Sequence, residues 1–187
     1  MNWARLVASA LREYRVASWR VVVAGGAAAG LLAIVATGLP ASAQAASGGV
    51  VHVYESGSAV TGLGQDVFTG AFADYGVDHT GVADNGEINK IVLSKGSFEV
   101  NVAKLSNSLR PTSNNQKTCT LVLKGTAPAT VLNGTGAYAG ISGTVTVTEH
   151  VALIFPKLSS GKCDESQTAK PLAGPYWVSG KGTVSFS

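Results

Sequence analysis

The chain has 187 residues, 13% of them charged, with 14 Lys and Arg against 11 Asp and Glu and only two cysteines. Arg5, Arg12, Arg15 and Arg20 fall at the very start, so from Gln44 onward ten basic residues meet ten acidic ones and the formal charge is zero. An evenly mixed, neutral surface excludes the basic face that nucleic-acid binding requires, and the roughly 144 residues after position 43 suffice for one domain with a proper core.

Residues 1–20 are basic apart from Glu13, "VVVAGGAAAGLLAIVATGL" (21–39) is apolar, and Ala41-Ser42-Ala43 follows Pro40. A basic stretch, an apolar stretch and a small-x-small site predict a signal peptide over 1–43, cut near Ala43, ahead of a domain over 44–187. With no twin-arginine pair, the general secretory route is favoured. The competing reading is a membrane anchor through 21–39, because 19 weakly charged residues just span a bilayer. The Ala/Gly richness of the run and the Ala-Ser-Ala site favour cleavage, hence a secreted protein with no stable membrane insertion. Cys119 and Cys163 both lie in the exported part, where an oxidising compartment makes a disulfide the default. Neither has His or Cys at ligand spacing, so no metal site is expected.

The exported part shows no helical periodicity; short alternations broken by glycine and polar turns recur instead. "GVVHVYES" (49–56) and "DVFTGAFADYG" (66–76) read as the first two strands. "EINKIVL" and "SFEVNVAKL" flank "SKG" (94–96), a hairpin with glycine at a positive-φ position. "LSNSLRPTSNNQK" (105–117) reads as a long loop, "TCTLVLKG" (118–125) as a strand, and "TVTVTEHVALIF" (144–155) as the longest strand. A second long loop spans 157–175. In the closing "YWVSGKGTVSFS" (176–187), Tyr176, Val178, Val184 and Phe186 share one face with Gly180 and Gly182, which let a curled sheet bend or leave interior room. Seven or eight such strands predict an all-β fold, a small closed antiparallel β-barrel of about eight strands.

"LNGTGAYAGISGTVTVT" (132–148) raises the question of a phosphate loop. No lysine lies between Lys124 and Lys157, and the glycines open a β-branched run rather than a helix, so the nucleotide reading fails. Gly134, Gly136, Gly140 and Gly143 instead permit a tight corner, over which Tyr138 packs. Asn133-Gly134-Thr135 matches a glycosylation sequon, for which a turn role is the simpler reading.

"GTGAYAGISGTVTVT" resembles the glycine corner of the allene oxide cyclase and dirigent-type barrels. "FADYG" (72–76) resembles the cyclases' aromatic-Gly-Asp-Tyr-Gly segment, and "INKIVLSKGSFEV" (88–100) resembles the strand–Gly–strand unit preceding the corner in dirigent proteins. Taken with the leader and the cysteine pair, the chain looks most like secreted actinobacterial members of that group. The resemblance implies an eight-stranded antiparallel barrel, often a homotrimer, with an apolar cavity and no cofactor. Cyclases bind a reactive fatty-acid epoxide and dirigent proteins orient phenolic radicals. The longer spacing between "DYG" and the corner and the cysteine pair depart from the plant cyclases, so no catalytic role is carried over.

Alternation alone supplies two candidate catalytic carboxylates. Asp74 shares a face with Phe68 and Phe72, and Glu149 shares one with Val145, Val147, Val151, Leu153 and Phe155. A carboxylate on an apolar barrel face is desolvated, holds its proton more tightly and can act as acid or base. The alternatives are a strand-end turn role for Asp74 and, for Glu149, an outward-turning bulge or an edge position near water. His52, His79 and His150 have no metal spacing and read as surface or wall residues. Tyr54, Tyr75, Tyr138 and Tyr176 read as core or cavity wall, with Phe68, Phe72, Tyr138 and Tyr176 as candidate ligand-cavity residues. No Gly-x-Ser-x-Gly elbow is present. The expectation is a secreted barrel binding a small apolar molecule, able to steer a reactive intermediate without a cofactor in the manner of a cyclase, isomerase or dirigent protein. The alternative is a non-enzymatic structural or interaction protein of the cell envelope.

Overall fold

A computed structural model describes residues 48–83, 87–166 and 168–187; the expected signal peptide over 1–43 lies outside the described residues. The chain runs β1 (Gly49–Ser58), β2 (Leu63–Gly70), β3 (Asp74–Ala83), β4 (Ile88–Leu93), β5 (Gly96–Asn101), α1 (Ala103–Ser108), β6 (Arg110–Asn115), β7 (Thr120–Gly136), β8 (Ile141–Ile154) and β9 (Pro175–Phe186). The strands hydrogen-bond in the order β5-β4-β3-β2-β1-β9-β8-β7-β6, and β5 also pairs with β7. That last pairing closes eight antiparallel strands into a barrel and leaves β6 outside the ring.

Alternation builds the wall. Along β8, Val145, Val147, Glu149, Val151 and Leu153 point inward and are buried, while Thr144 and Thr146 face out. β-branched residues suit this half-buried, pleated surface. Of the expected inward set on β9, Tyr176, Val178 and Val184 are buried and Phe186 is half-buried. Gly180 leaves no interior room, however: a Cβ there would meet the Val147 side chain at 2.6 Å and that of Val53 at 2.9 Å. The neighbouring valines already occupy the space that the glycine vacates.

β7 is longer than expected, running from Thr120 through the start of the glycine stretch. Its first part pairs with β6 (Thr120 to Lys124) and its last part with β5 (Thr130 to Gly136). Between them, α1 packs on the strand: a Cβ at Gly125 would fall 2.5 Å from Ser108 Oγ. Pro128, which cannot donate to a ladder, sits in the stretch paired to β8 alone among the described residues.

Two expectations need correction. Residues 66–76 are not one strand: β2 ends at Gly70, whose φ is +100°, and β3 begins at Asp74. Nor is 105–117 an irregular loop, because it holds the end of α1 and all of β6. α1 hid because it is six residues long and buries only Leu105. β6 hid because every one of its residues is exposed, so it has no inward face to impose alternation.

The glycine stretch is the corner joining β7 to β8. A Cβ at Gly134 would lie 1.7 Å from the Tyr138 carbonyl oxygen, so only glycine fits there. Gly140 takes φ +73°. Cys119 and Cys163 form the expected disulfide, with Cα atoms 5.3 Å apart, tying the start of β7 to the loop before β9. Closing a 44-residue separation stabilises by roughly 4 kcal/mol at most on chain-entropy grounds.

Candidate functional site

The barrel interior has two chemically distinct ends. At the end of the 71–73, 94–95 and 137–140 turns, Phe68, Phe72, Phe98 and Tyr138 pack with ring centroids 5.0–6.3 Å apart. Tyr138 brings a hydroxyl into this cluster, and a buried hydroxyl needs a partner. It donates to Asp74 Oδ2 at 2.6 Å. Asp74 also accepts from Ser94 Oγ, from the Tyr75 amide at 2.8 Å and from the Lys95 amide at 3.2 Å. Burial pushes this carboxyl's pKa up, but the hydrogen bonds outweigh it and hold it below the ordinary value. Burial, then the hydrogen bond to Asp74 and that carboxylate's charge, push the Tyr138 phenol up. A carboxylate held ionised by four donors is an anchor, so the geometry gives Asp74 the strand-end role. "FADYG" and "GTGAYAG" thus meet in space through Asp74 and Tyr138.

Beyond this plug lies a cavity of about 90 Å³, several times the roughly 10–15 Å³ that one water needs. Its walls are apolar, with Val53, Phe68, Ile91, Phe98, Val147 and Val151 from the strands and Val102, Leu105 and Leu109 from in and around α1. Of the four expected cavity residues, Phe68 and Tyr176 line it, whereas Phe72 and Tyr138 belong to the plug below. Glu149 lines it as well and Asp74 does not. The ladders through Glu149 run without a shift, pairing it with Gly125 and Val178. No bulge turns it out, and it is 6% exposed.

Glu149 is not alone. Glu55, Asp66, Asp78, Asn89 and Tyr176 line the same cavity, and among the described residues no Lys, Arg or His does. Register explains the convergence. Asp66 stands opposite Glu55, Glu55 opposite Val178, and Val178 opposite Glu149, so one cross-strand row carries three carboxyls from β2, β1 and β8. Asp78 joins from β3, opposite Gly64. Asn89 Nδ2 donates to Asp78 Oδ2 at 2.9 Å, and Asn89 Oδ1 accepts from the Gly81 amide at 3.1 Å. The Tyr176 hydroxyl donates to Glu55 Oε1. Space for that contact comes from Gly64, where a Cβ would fall 2.4 Å from both oxygens.

Asp66 is the most unusual member. It is 2% exposed, and its Oδ2 is buried with no hydrogen-bond partner. Burial first, and the neighbouring Glu55 charge second, push its pKa up to about 8. Such a group carries its proton at neutral pH and is poised to exchange it. No group of three or more His, Cys, Asp or Glu converges as metal ligands among the described residues.

Glu55, Asp66, Asp78 and Asn89 were missed by the sequence reading. The signal available for Glu55 and Asp66 was phase: Glu55 continues the inward series Val51, Val53, and Asp66 precedes Phe68 by two. Tyr54 and Tyr75, expected in the core or wall, point outward and are 53% and 69% exposed. His150 stacks on Trp177 on the outer face, with centroids 4.9 Å apart, and His79 is exposed. Compared with protein-family models, with curated proteins and with solved structures, the chain matches none.

Proposed function

We propose that this protein is a secreted barrel that binds a small, largely apolar molecule in its interior. The observation that carries this reading is the cavity of about 90 Å³ between the aromatic plug and the carboxyl row. Concave, mostly apolar spaces with a few convergent polar groups are where small molecules bind. The leader and the disulfide support export. The meeting of the two motif segments at Asp74 and Tyr138 supports reading them together as the fold marker that resembles the cyclase and dirigent-type barrels. Any chemistry is cofactor-free and falls to the inward carboxyls Asp66 and Glu149, because Asp74 is engaged as an anchor.

Isobutanol, a neutral probe of five heavy atoms, should bind with millimolar affinity, seen as NMR shifts of the Ile91, Val147 and Val151 methyls. Val147→Phe, which fills the cavity, should abolish those shifts. Wild-type protein that shows no cavity shift with isobutanol or with any matched small probe would sink this reading.

One observation favours a role for the outer surface. Tyr54, Val67 and Tyr75 stand in one cross-strand row on the outside of β1, β2 and β3, all exposed. An exposed apolar strip of this kind suits a homotrimer face or a cell-envelope partner. Light scattering on eluting protein should then report a trimer, and a monomer at high concentration removes the homotrimer.

A further inference from the structure

Resting on the interior-binding reading above, we infer that the ligand is a small amine, with its ammonium group against Asp66 and its hydrocarbon body against Phe68, Ile91 and Val147. The polar end of the cavity is built from acceptors. Glu55, Asp66, Asp78 and Glu149 supply carboxyl oxygens, and the two donor-bearing residues beside them are engaged: Tyr176 with Glu55, and Asn89 Nδ2 with Asp78. With Asp66 ionised, a ligand polar group that fits here must donate.

Asp66 supplies the independent observation, because its Oδ2 is buried and has no hydrogen-bond partner while the residue lines the cavity. A hydroxyl would satisfy that oxygen but leave the carboxyls facing one another across the row. An ammonium satisfies it and also offsets their mutual repulsion, since an opposite charge nearby favours the ionised form. It takes the place of the proton that burial otherwise keeps on Asp66. A divalent metal is disfavoured because no three ligands converge among the described residues. An anionic ligand would meet only like charge.

The test compares four probes that share an isopropyl body on the full mature chain by calorimetry and NMR: isobutylamine, isobutanol, isobutyrate and isopentane. Isobutylamine should bind at least about tenfold more tightly than isobutanol, the range of a hydrogen bond to a charged group, and isobutyrate should not bind. Asp66→Asn, which keeps the side-chain shape, should remove most of that preference, bringing the ratio of amine to alcohol affinity close to one. Equal binding of amine and alcohol, or tighter binding of isobutyrate, overturns the inference while the cavity reading stands. An amine preference that survives both Asp66→Asn and Glu149→Gln places the cation elsewhere and overturns it as well. If none of the four binds, both readings fall together.

Discussion

Asp66→Asn is expected to raise the thermal midpoint at pH 8 by about 5–10 °C and to lower it by a few degrees at pH 4, where only the cost of the buried amide remains. Asp66 is buried, and burial with the Glu55 charge lifts its pKa from 3.8 to about 8. For a carboxyl whose folded pKa is raised, the native state holds a proton that the unfolded chain has lost. Its contribution to stability is therefore fully present below about 4 and is lost as pH rises toward 8. The full loss is on the order of 5 kcal/mol at 1.36 kcal/mol per unit. Asparagine does not ionise, so it removes that loss, although its buried amide gives back about 1–3 kcal/mol if poorly partnered. Melting curves of wild type and variant between pH 4 and 8 check this. A difference between the two that does not grow with pH would show that Asp66 is not held protonated.

The second large effect belongs to the plug. Asp74→Ala removes the acceptor for two side-chain hydroxyls and two backbone amides, leaving the buried Tyr138 hydroxyl unsatisfied. The expected cost is about 3–5 kcal/mol, given 1–3 kcal/mol for each buried group left unpaired. Tyr138→Phe should cost less, about 1–2 kcal/mol, since Asp74 keeps three donors. The two changes touch one network, so the double variant should be less destabilised than the sum of the singles. Strict additivity in denaturant melts would mean that the Asp74–Tyr138 bond contributes nothing. The pH signature is opposite to that of Asp66. With its folded pKa lowered, Asp74 contributes stability above about 3.8 that disappears as pH falls through its folded value. Asp66 thus lowers stability progressively above the ordinary carboxylate value of 3.8 and Asp74 lowers it below that value, so the two groups together favour a pH near 3.8.

What was legible in the sequence was whatever repeats locally. In β8 five inward residues alternate without interruption, and this alternation placed both the strand and Glu149. In β9 two glycines fell in phase with the apolar face, although their role is close packing rather than spare volume. β6 and α1 were illegible because one has no buried face and the other is too short to show a period. Residues 66–76 misled because Phe68, Phe72 and Asp74 are all buried, yet the chain turns between them. The carboxyl row was illegible for a deeper reason. Glu55, Asp66, Asp78 and Glu149 each look like a single polar residue in an apolar alternation. Only register, with β9 lying between β1 and β8, brings Glu55, Asp66 and Glu149 into one row and Asp78 into the row beside it, and register across a closed sheet is a property of the whole ring.

The position of β9 also governs how the molecule is made. The first strand of the domain completes its second edge only by pairing with the last, Gly49 against Val184 and Ser58 against Pro175. β8 waits for the same strand. Until residues 175–186 are available, β1 and β8 expose open hydrogen-bonding edges and the interior is accessible along a slot. Closure is thus a late event of high sequence separation, which slows folding and prolongs the interval in which edges can pair with other chains. A truncation that removes only the last twelve residues would leave two unpaired strands and an aggregating chain, rather than a slightly smaller barrel.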